Sequence, residues 1–237
     1  MLQSLKKLYG DKLGAADGDI GHVKDFYFDD QNWAVRYVVV DTGTWLTERQ
    51  VLLAPHAFGN FHESRKLLAV NLTRKQIEDS PPIESHKTVS RRYEEEYHRY
   101  YGWPYYWEGD GVWGLSGFPI LELPQKLLPY EQAATIALQN KSPDAHLCST
   151  QAVAGYHIHA TDEIIGHVSD FLMDDKSWAI QQLIIKTGHR FSGKEVQISV
   201  RNIERISYEE STVLVNLTKE AIEQRPAPYP TPVVAAD

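Results

Sequence analysis

The chain states one segment twice. Ile20-Gly-His-Val-Lys-Asp-Phe-Tyr-Phe-Asp-Asp-Gln-Asn-Trp-Ala returns as Ile165-Gly-His-Val-Ser-Asp-Phe-Leu-Met-Asp-Asp-Lys-Ser-Trp-Ala, an offset of 145 residues (165 − 20). Val70-Asn-Leu-Thr and Val215-Asn-Leu-Thr keep that offset, as do Gly10/Gly155, Asp17/Asp162 and Pro81/Pro226. Copies that hold register over such a length without net insertion are two copies of one folded unit. The 237 residues then divide into a first copy over 1–82, an insert over 83–145, a second copy over 146–227 and a tail over 228–237, whose prolines and small residues predict a flexible end.

Within each copy the pattern is that of short β-strands. Val23 to Phe28 runs into the turn composition Asp29-Asp30-Gln31-Asn32, and Trp33 to Asp41 follows as the next strand, ended by Thr42-Gly43. The second copy repeats this with His167 to Met173, Asp174 to Ser177, and Trp178 to Lys186. Further strands are expected at Val51–Ala54, Leu67–Asn71, Val196–Ile198 and Val213–Asn216. Thr73 and Gln76 have the spacing of a capping box, so a short helix is predicted to start there and stop at Pro81-Pro82. Thr218 starts its counterpart, without the reciprocal partner at Ala221. The fold class expected is mainly β: two small antiparallel β-barrels with short C-terminal helices, joined by a partly helical, aromatic-rich linker. Barrel closure removes exposed sheet edges.

This architecture looks like the PRC-barrel domain family in Gly-x-Val-x-Asp-Phe, the Asp-Asp turn, the β-branched strand and the Asn-Leu-Thr helix start. That family includes the cytoplasmic domain of the photosynthetic reaction centre H subunit and the C-terminal domain of the ribosome maturation factor RimM. The resemblance covers both copies, so a tandem PRC-barrel protein is expected. It implies small barrels that dock on other macromolecules and carry out no chemistry of their own. By analogy alone it also admits a peripheral component of a photosynthetic or electron-transfer membrane complex. No apolar run of membrane-spanning length opens the sequence as one opens an H subunit, and a second PRC-like barrel is expected where RimM has a different one.

The remaining chemistry is sparse. The net charge of −8 and the absence of a long basic run argue against nucleic acid, whose phosphates need clustered Lys and Arg. Cys148 is the single cysteine, so no internal disulfide forms, and a cytoplasmic location is expected. The N-terminus has no signal-peptide core, and no stretch approaches the ~20 apolar residues of a transmembrane helix. His22/His167 and Asp25/Asp170 recur in both copies, as a folding requirement would. Asp29-Asp30 and Asp174-Asp175 lack the alternating ligands, central Gly and distal Glu of a calcium loop. His157-Ile-His159 would place two imidazoles on one face of a strand, as half of a metal site does, but no third ligand is close in sequence, and the matching positions of the first copy are Lys12 and Gly14. No P-loop, G-x-S-x-G, dinucleotide fingerprint or paired-Cys zinc pattern is present, so no catalytic residue, cofactor or metal is assigned.

The insert is where the copies have no equivalent. Tyr93, Tyr97, Tyr100, Tyr101, Trp103, Tyr105, Tyr106, Trp107 and Trp113 crowd into one short stretch. Ser90 caps a helix on which Tyr93, Tyr97 and Tyr100/Tyr101 share a face, Gly102 and Pro104 end it, and Pro129 opens a second helix to Asn140. Those nine aromatics either pack the barrels together or form an interaction surface, since Tyr and Trp serve both roles. The function expected is that of a non-catalytic adaptor, binding an unknown protein partner or associating with itself. The alternative is a small-ligand or metal-binding protein, or an enzyme, with a site between the barrels drawing on His157, His159, Asp162, Trp103 and Trp107.

Overall fold

The computed structural model describes residues 1–46, 49–59, 67–84, 89–119, 147–188 and 193–225. The expected second helix over 129–140 and the tail over 228–237 lie outside the described residues. Fourteen strands occur among those described. The first copy and the residues after it hold β1 (Leu2–Ser4), β2 (Lys12–Ala15), β3 (Gly18–Asp29), β4 (Ala34–Asp41), β5 (Arg49–Leu53), β6 (Leu67–Ala69) and β7 (Ile83–Glu84). The second holds β8 (Leu147–Ser149), β9 (His157–His159), β10 (Ile164–Asp174), β11 (Ile180–Thr187), β12 (Glu195–Ser199), β13 (Ile203–Ser207) and β14 (Thr212–Val215).

One sheet runs in the order β6-β2-β3-β4-β5-β7 with β8 added on β3; the other runs β12-β11-β10-β9-β14-β13. The expectation of wholly antiparallel, closed barrels is corrected here. Each sheet contains one parallel pair, β2–β6 and β9–β14, and neither sheet closes among the described strands. The parallel pairs arise because β6 and β14 come back beside β2 and β9 only after the chain has crossed the intervening strands. Gly18 and Gly21 lie inside β3, and Lys12 to Ala15 folds back on Gly18 to His22 as a tight hairpin.

The motif's glycine has a steric cause. A Cβ on Gly21 would lie 2.0 Å from the Asp41 carbonyl oxygen, and one on Gly166 would lie 2.1 Å from that of Lys186. Both positions are where the neighbouring strand crosses too closely for any side chain. The motif's first aspartate answers a backbone donor in both copies: Asp25 accepts from Phe26 N–H at 2.8 Å and Asp170 from Phe171 N–H at 2.7 Å. The Asp-Asp turns are Asx turns. Asp29 accepts from the N–H groups of Gln31 and Asn32, and Asp174 from the N–H and hydroxyl of Ser177. Each turn ends on a tryptophan in the left-handed region, Trp33 at φ 52° and Trp178 at φ 57°, a place that usually costs a non-glycine residue about 1–2 kcal/mol. Trp33 stacks on Phe28 at 5.5 Å and Trp178 meets Phe58 at 5.1 Å, contacts that offset the strain.

The chain separates into two compact units, Met1–Thr150 with Met173–Ala179, and Gln151–Leu172 with Ile180–Asp237. The first unit borrows from the second copy. β8 is the 145-residue counterpart of β1, yet it pairs with β3 through Tyr27↔Ser149, Phe28↔Cys148 and Asp29↔Leu147. The hydroxyls of Ser149 and Thr150 both donate to Asp25. In the reciprocal sense, the Met1 carbonyl accepts from Asp175 N–H, and the Met1 ammonium bonds the Asp175 carboxylate. In β4 every residue from Ala34 to Val40 is buried, Arg36 included, so both faces of this strand are covered. The helix Arg74–Glu78 begins with the full capping box between Thr73 and Gln76, and Lys219–Glu223 begins with Thr218 alone. Among the described residues no helix is long and apolar enough to cross a membrane.

Candidate functional site

The aromatic segment builds the outer cover of β4 and β5. Its helix runs Arg91–Tyr101, entered through Ser90, whose hydroxyl accepts from Tyr93 N–H, and left through Gly102 at φ 70°. The buried face of that helix is Glu94, Tyr97 and His98, an i, i+3, i+4 set. Tyr97 is fully buried. Its hydroxyl donates to Leu52 O at 2.9 Å and accepts from Ala54 N–H at 3.2 Å, so it satisfies the outer edge of β5. Tyr93 and Tyr101 are half-buried, while Tyr100 is exposed; the hydroxyls of Tyr100 and Tyr101 reach Gln76 O. Of the other expected surface residues, Trp103, Tyr106 and Trp113 are buried, and Tyr105 and Trp107 are half-exposed and stacked at 4.8 Å.

Beneath these rings lies a polar cluster that the sequence pattern does not announce. Arg36 is 1% exposed. Its guanidinium bonds Asp29 at 2.9 Å and Val112 O at 2.6 Å, and lies over the Tyr106 ring at 3.8 Å and Trp113 at 4.8 Å. Glu94 is equally buried; it takes Arg91 at 2.9 Å on one oxygen, and the hydroxyls of Tyr106 at 2.7 Å and Tyr37 at 3.1 Å on the other. Two acids and two bases thus close their charges internally. The arrangement is costly to form, but losing one partner of such a pair typically costs about 3–5 kcal/mol. Trp113 Nε1–H donates to Ser177 O at 2.6 Å, tying the cluster to the turn of the second copy's hairpin.

Two histidines complete it. His56 stacks on Trp103 at 5.4 Å, meets Trp113 edge-on at 5.2 Å and lies 5.9 Å from His98. The His98 Nδ1–H donates to Pro104 O at 2.9 Å, which sets its tautomer. Burial, helped by His98 and Arg36, lowers the His56 pKa to about 3. Burial, opposed by the Pro104 bond and aided by Arg36 and Arg91, lowers that of His98 to about 4. Both rings are neutral near pH 7. Burial raises Glu94 to about 7 against the pull of Arg91, Tyr106 and Tyr37. Burial also acts upward on Asp29, but Arg36, Asn32 and Gln31 hold its carboxyl below the usual range. The His56 Nδ1 and the Arg36 Nε are buried without a hydrogen-bond partner.

Shifted groups in a cleft would point to catalysis. Here Glu94, His56 and His98 are 1–3% exposed, packed beneath Trp103, Tyr106 and Trp113. The other residues singled out from sequence fall elsewhere. His22 is exposed on β3 opposite Lys12, and His157 is exposed on β9 opposite His167. His159 is exposed too, with Nδ1 on Ala160 O. Asp162 caps Lys219 N–H. Cys148 is buried in β8. Among the described residues no group of three or more His, Cys, Asp or Glu side chains is placed to hold a metal ion. Arg36, His56, Glu94 and His98 were not foreseen. The one sequence signal for them was a single arginine inside the otherwise apolar run from Ala34 to Val40.

The span from β9 to the helix Lys219–Glu223 carries the decisive similarity: the family model of the PRC-barrel domain matches residues 158–222. A PRC-barrel domain is present there. The PRC-barrel match includes Gly166, Asp170 and Asp174, the residues that set the strand crossing and the turn. No curated protein matches the chain.

Proposed function

We propose that the chain is a non-catalytic tandem PRC-barrel protein acting as an interaction or assembly module in the cytoplasm. In this reading residues 1–82 are a second, divergent PRC-type unit, 146–227 the matched one, and 83–145 the linker that specialises the first. The equivalence rests on shared register: Val38↔Leu53 and Val39↔Leu52 in one copy correspond residue for residue to Leu183↔Ile198 and Ile184↔Gln197 in the other.

The observation that carries the reading is the closed cluster beneath the aromatic cover. Its charges neutralise one another and its titratable groups are sealed, which is how polar residues fix a structure rather than how they turn over a substrate. Among what the segment leaves outside are large apolar side chains: Leu115 and Phe118 are each 53% exposed, and Tyr105 and Trp107 are half-exposed. Such residues are enriched at the cores of protein interfaces. The test compares wild type with a Leu115→Ser/Phe118→Ser double variant, which leaves the buried cluster untouched. Sedimentation reports self-association, and affinity capture from source-cell extract with mass spectrometry reports partners. An oligomer or a specific partner lost in the variant supports the reading. A monomer with no specific partner in either form overturns it.

A further inference from the structure

The two copies differ in what covers the outer face of their fourth and fifth strands. In the first, β4 and β5 carry the helix Arg91–Tyr101. Tyr37 donates to Glu94 and meets Tyr97 edge-on at 5.5 Å; Leu52 O and Ala54 N–H both bond the Tyr97 hydroxyl; Gln76 O accepts from Tyr100 and Tyr101. Shifted by 145, these positions are Gln182, Gln197, Ser199 and Ala221. Those four residues, with Gln224 and Arg225, line an open pocket of about 370 Å³ in the second unit. The helix seat of the first copy and the pocket of the second are therefore the same place in the repeat.

The pocket's chemistry has changed along with its cover. The apolar and aromatic floor of Tyr37, Leu52 and Ala54 has become Gln182, Gln197 and Ser199. Gln182 stands where Tyr37 stands in the first copy, and its amide can donate to an occupant as the Tyr37 hydroxyl donates to Glu94. Arg225 is the single charged residue of the lining, half-buried, with one bond to Asn202 at 3.3 Å. Among the described strands β12 ends its sheet, where the equivalent β5 is followed by β7. The chain's own continuation has Pro226, Pro228, Pro230 and Pro232, a spacing no helix tolerates, so it does not encode a second copy of Arg91–Tyr101.

We propose that this pocket is a docking groove for a helix of a partner protein. The helix presents a carboxylate and a hydroxyl three residues apart, as Glu94 and Tyr97 do in the first copy. The carboxylate accepts from the Gln182 amide, as Glu94 does from Tyr37, the hydroxyl meets the edge of β12, as Tyr97 does at Leu52 and Ala54, and Arg225 supplies the positive charge of the lining. This deepens the interaction-module reading and rests on it.

The resident helix supplies the probe. A synthetic peptide of residues 89–104, with Arg92→Lys joined by a lactam to Glu96, is locked helical on its solvent side, because the side chains of Arg92 and Glu96 are 87% and 50% exposed. It is titrated into the full-length protein and followed by ¹⁵N–¹H correlation spectra. Saturable shifts at Gln182, Gln197, Ser199, Gln224 and Arg225 are expected. They should weaken at least tenfold with Arg225→Glu in the protein, and likewise with Tyr97→Phe in the peptide. An unchanged thermal midpoint of the Arg225→Glu protein keeps that comparison valid. No saturable shift up to millimolar peptide, shifts confined to Leu52, Ala54 and Gln76, or binding indifferent to Arg225→Glu would each overturn the groove. Such a failure leaves the partner capture with Leu115→Ser/Phe118→Ser standing on its own result.

Discussion

Glu94→Gln separates a charge from the shape that carries it. Glutamine keeps an oxygen for the Tyr37 and Tyr106 hydroxyls and fills the same volume, but it cannot titrate. In the wild type, burial carries the Glu94 carboxyl from 4.5 to about 7. At about 1.36 kcal/mol per unit, the ionised form is disfavoured in the folded chain by about 3 kcal/mol. The sign follows from proton binding. Between those two values the folded chain holds a proton that the unfolded chain has released, so the contribution is complete below about pH 4.5 and is lost as pH rises through about 7. The glutamine variant lacks that loss. Its stability relative to wild type should therefore rise by about 3 kcal/mol between pH 4.5 and pH 8, measured by urea unfolding followed in the near-ultraviolet dichroism of the aromatic cluster. His56 and His98 titrate in both proteins and cancel from the difference. A stability difference equal at the two pH values to within about 0.5 kcal/mol would show that Glu94 ionises as a solvated acid does, and the reasoning from burial would fail.

Gly21→Ala and Gly166→Ala should each cost ~4 kcal/mol or more by forcing two strands apart, while Gly117→Ala, which meets nothing within 4 Å, should change the thermal midpoint little. Asp25→Ala removes the acceptor of Phe26 N–H and of the Ser149 and Thr150 hydroxyls; a loss of roughly 2–4 kcal/mol is expected in denaturant melts, and a loss below about 0.5 kcal/mol would show that β8 is held by its backbone alone. His56 and His98, lowered to about 3 and 4, stabilise the neutral-pH fold, and that contribution drains away as pH falls below about 6.5; His98→Gln should flatten the acid limb of a stability–pH curve. Cys148, 5% exposed, should react with a thiol reagent at the rate of unfolding and not faster.

The strands were legible because β-branched and aromatic runs bounded by Asp-Asp and Thr-Gly admit few other readings, and repetition read the same evidence twice. The capping box at Thr73 and the helix between Ser90 and Gly102 were legible for a similar reason: caps are local, made by residues three or four apart. The partners of each face were not. Tyr97 could be placed on a helical stripe, but that its hydroxyl would bridge Leu52 and Ala54 depends on how far the chain travels between them. Glu94 sits in a run of three glutamates that reads as a solvated face, and only the packing of Tyr37 and Tyr106 against it takes it out of water. The parallel pairing of β6 with β2, and of β14 with β9, was hidden because parallel neighbours share no turn. The pairing of β8 was hidden because three residues carry no period.

The exchanged start of the second copy has a consequence in time. Synthesis delivers Asp25, Phe28 and Tyr27 long before Ser149, Cys148 and the Trp178 turn that complete the same unit. Domains ordinarily fold as they emerge, the N-terminal one first. This one has to wait, with Tyr27–Asp29 of β3 unpaired on that side, until Leu147–Ser149 and the Trp178 turn have been made.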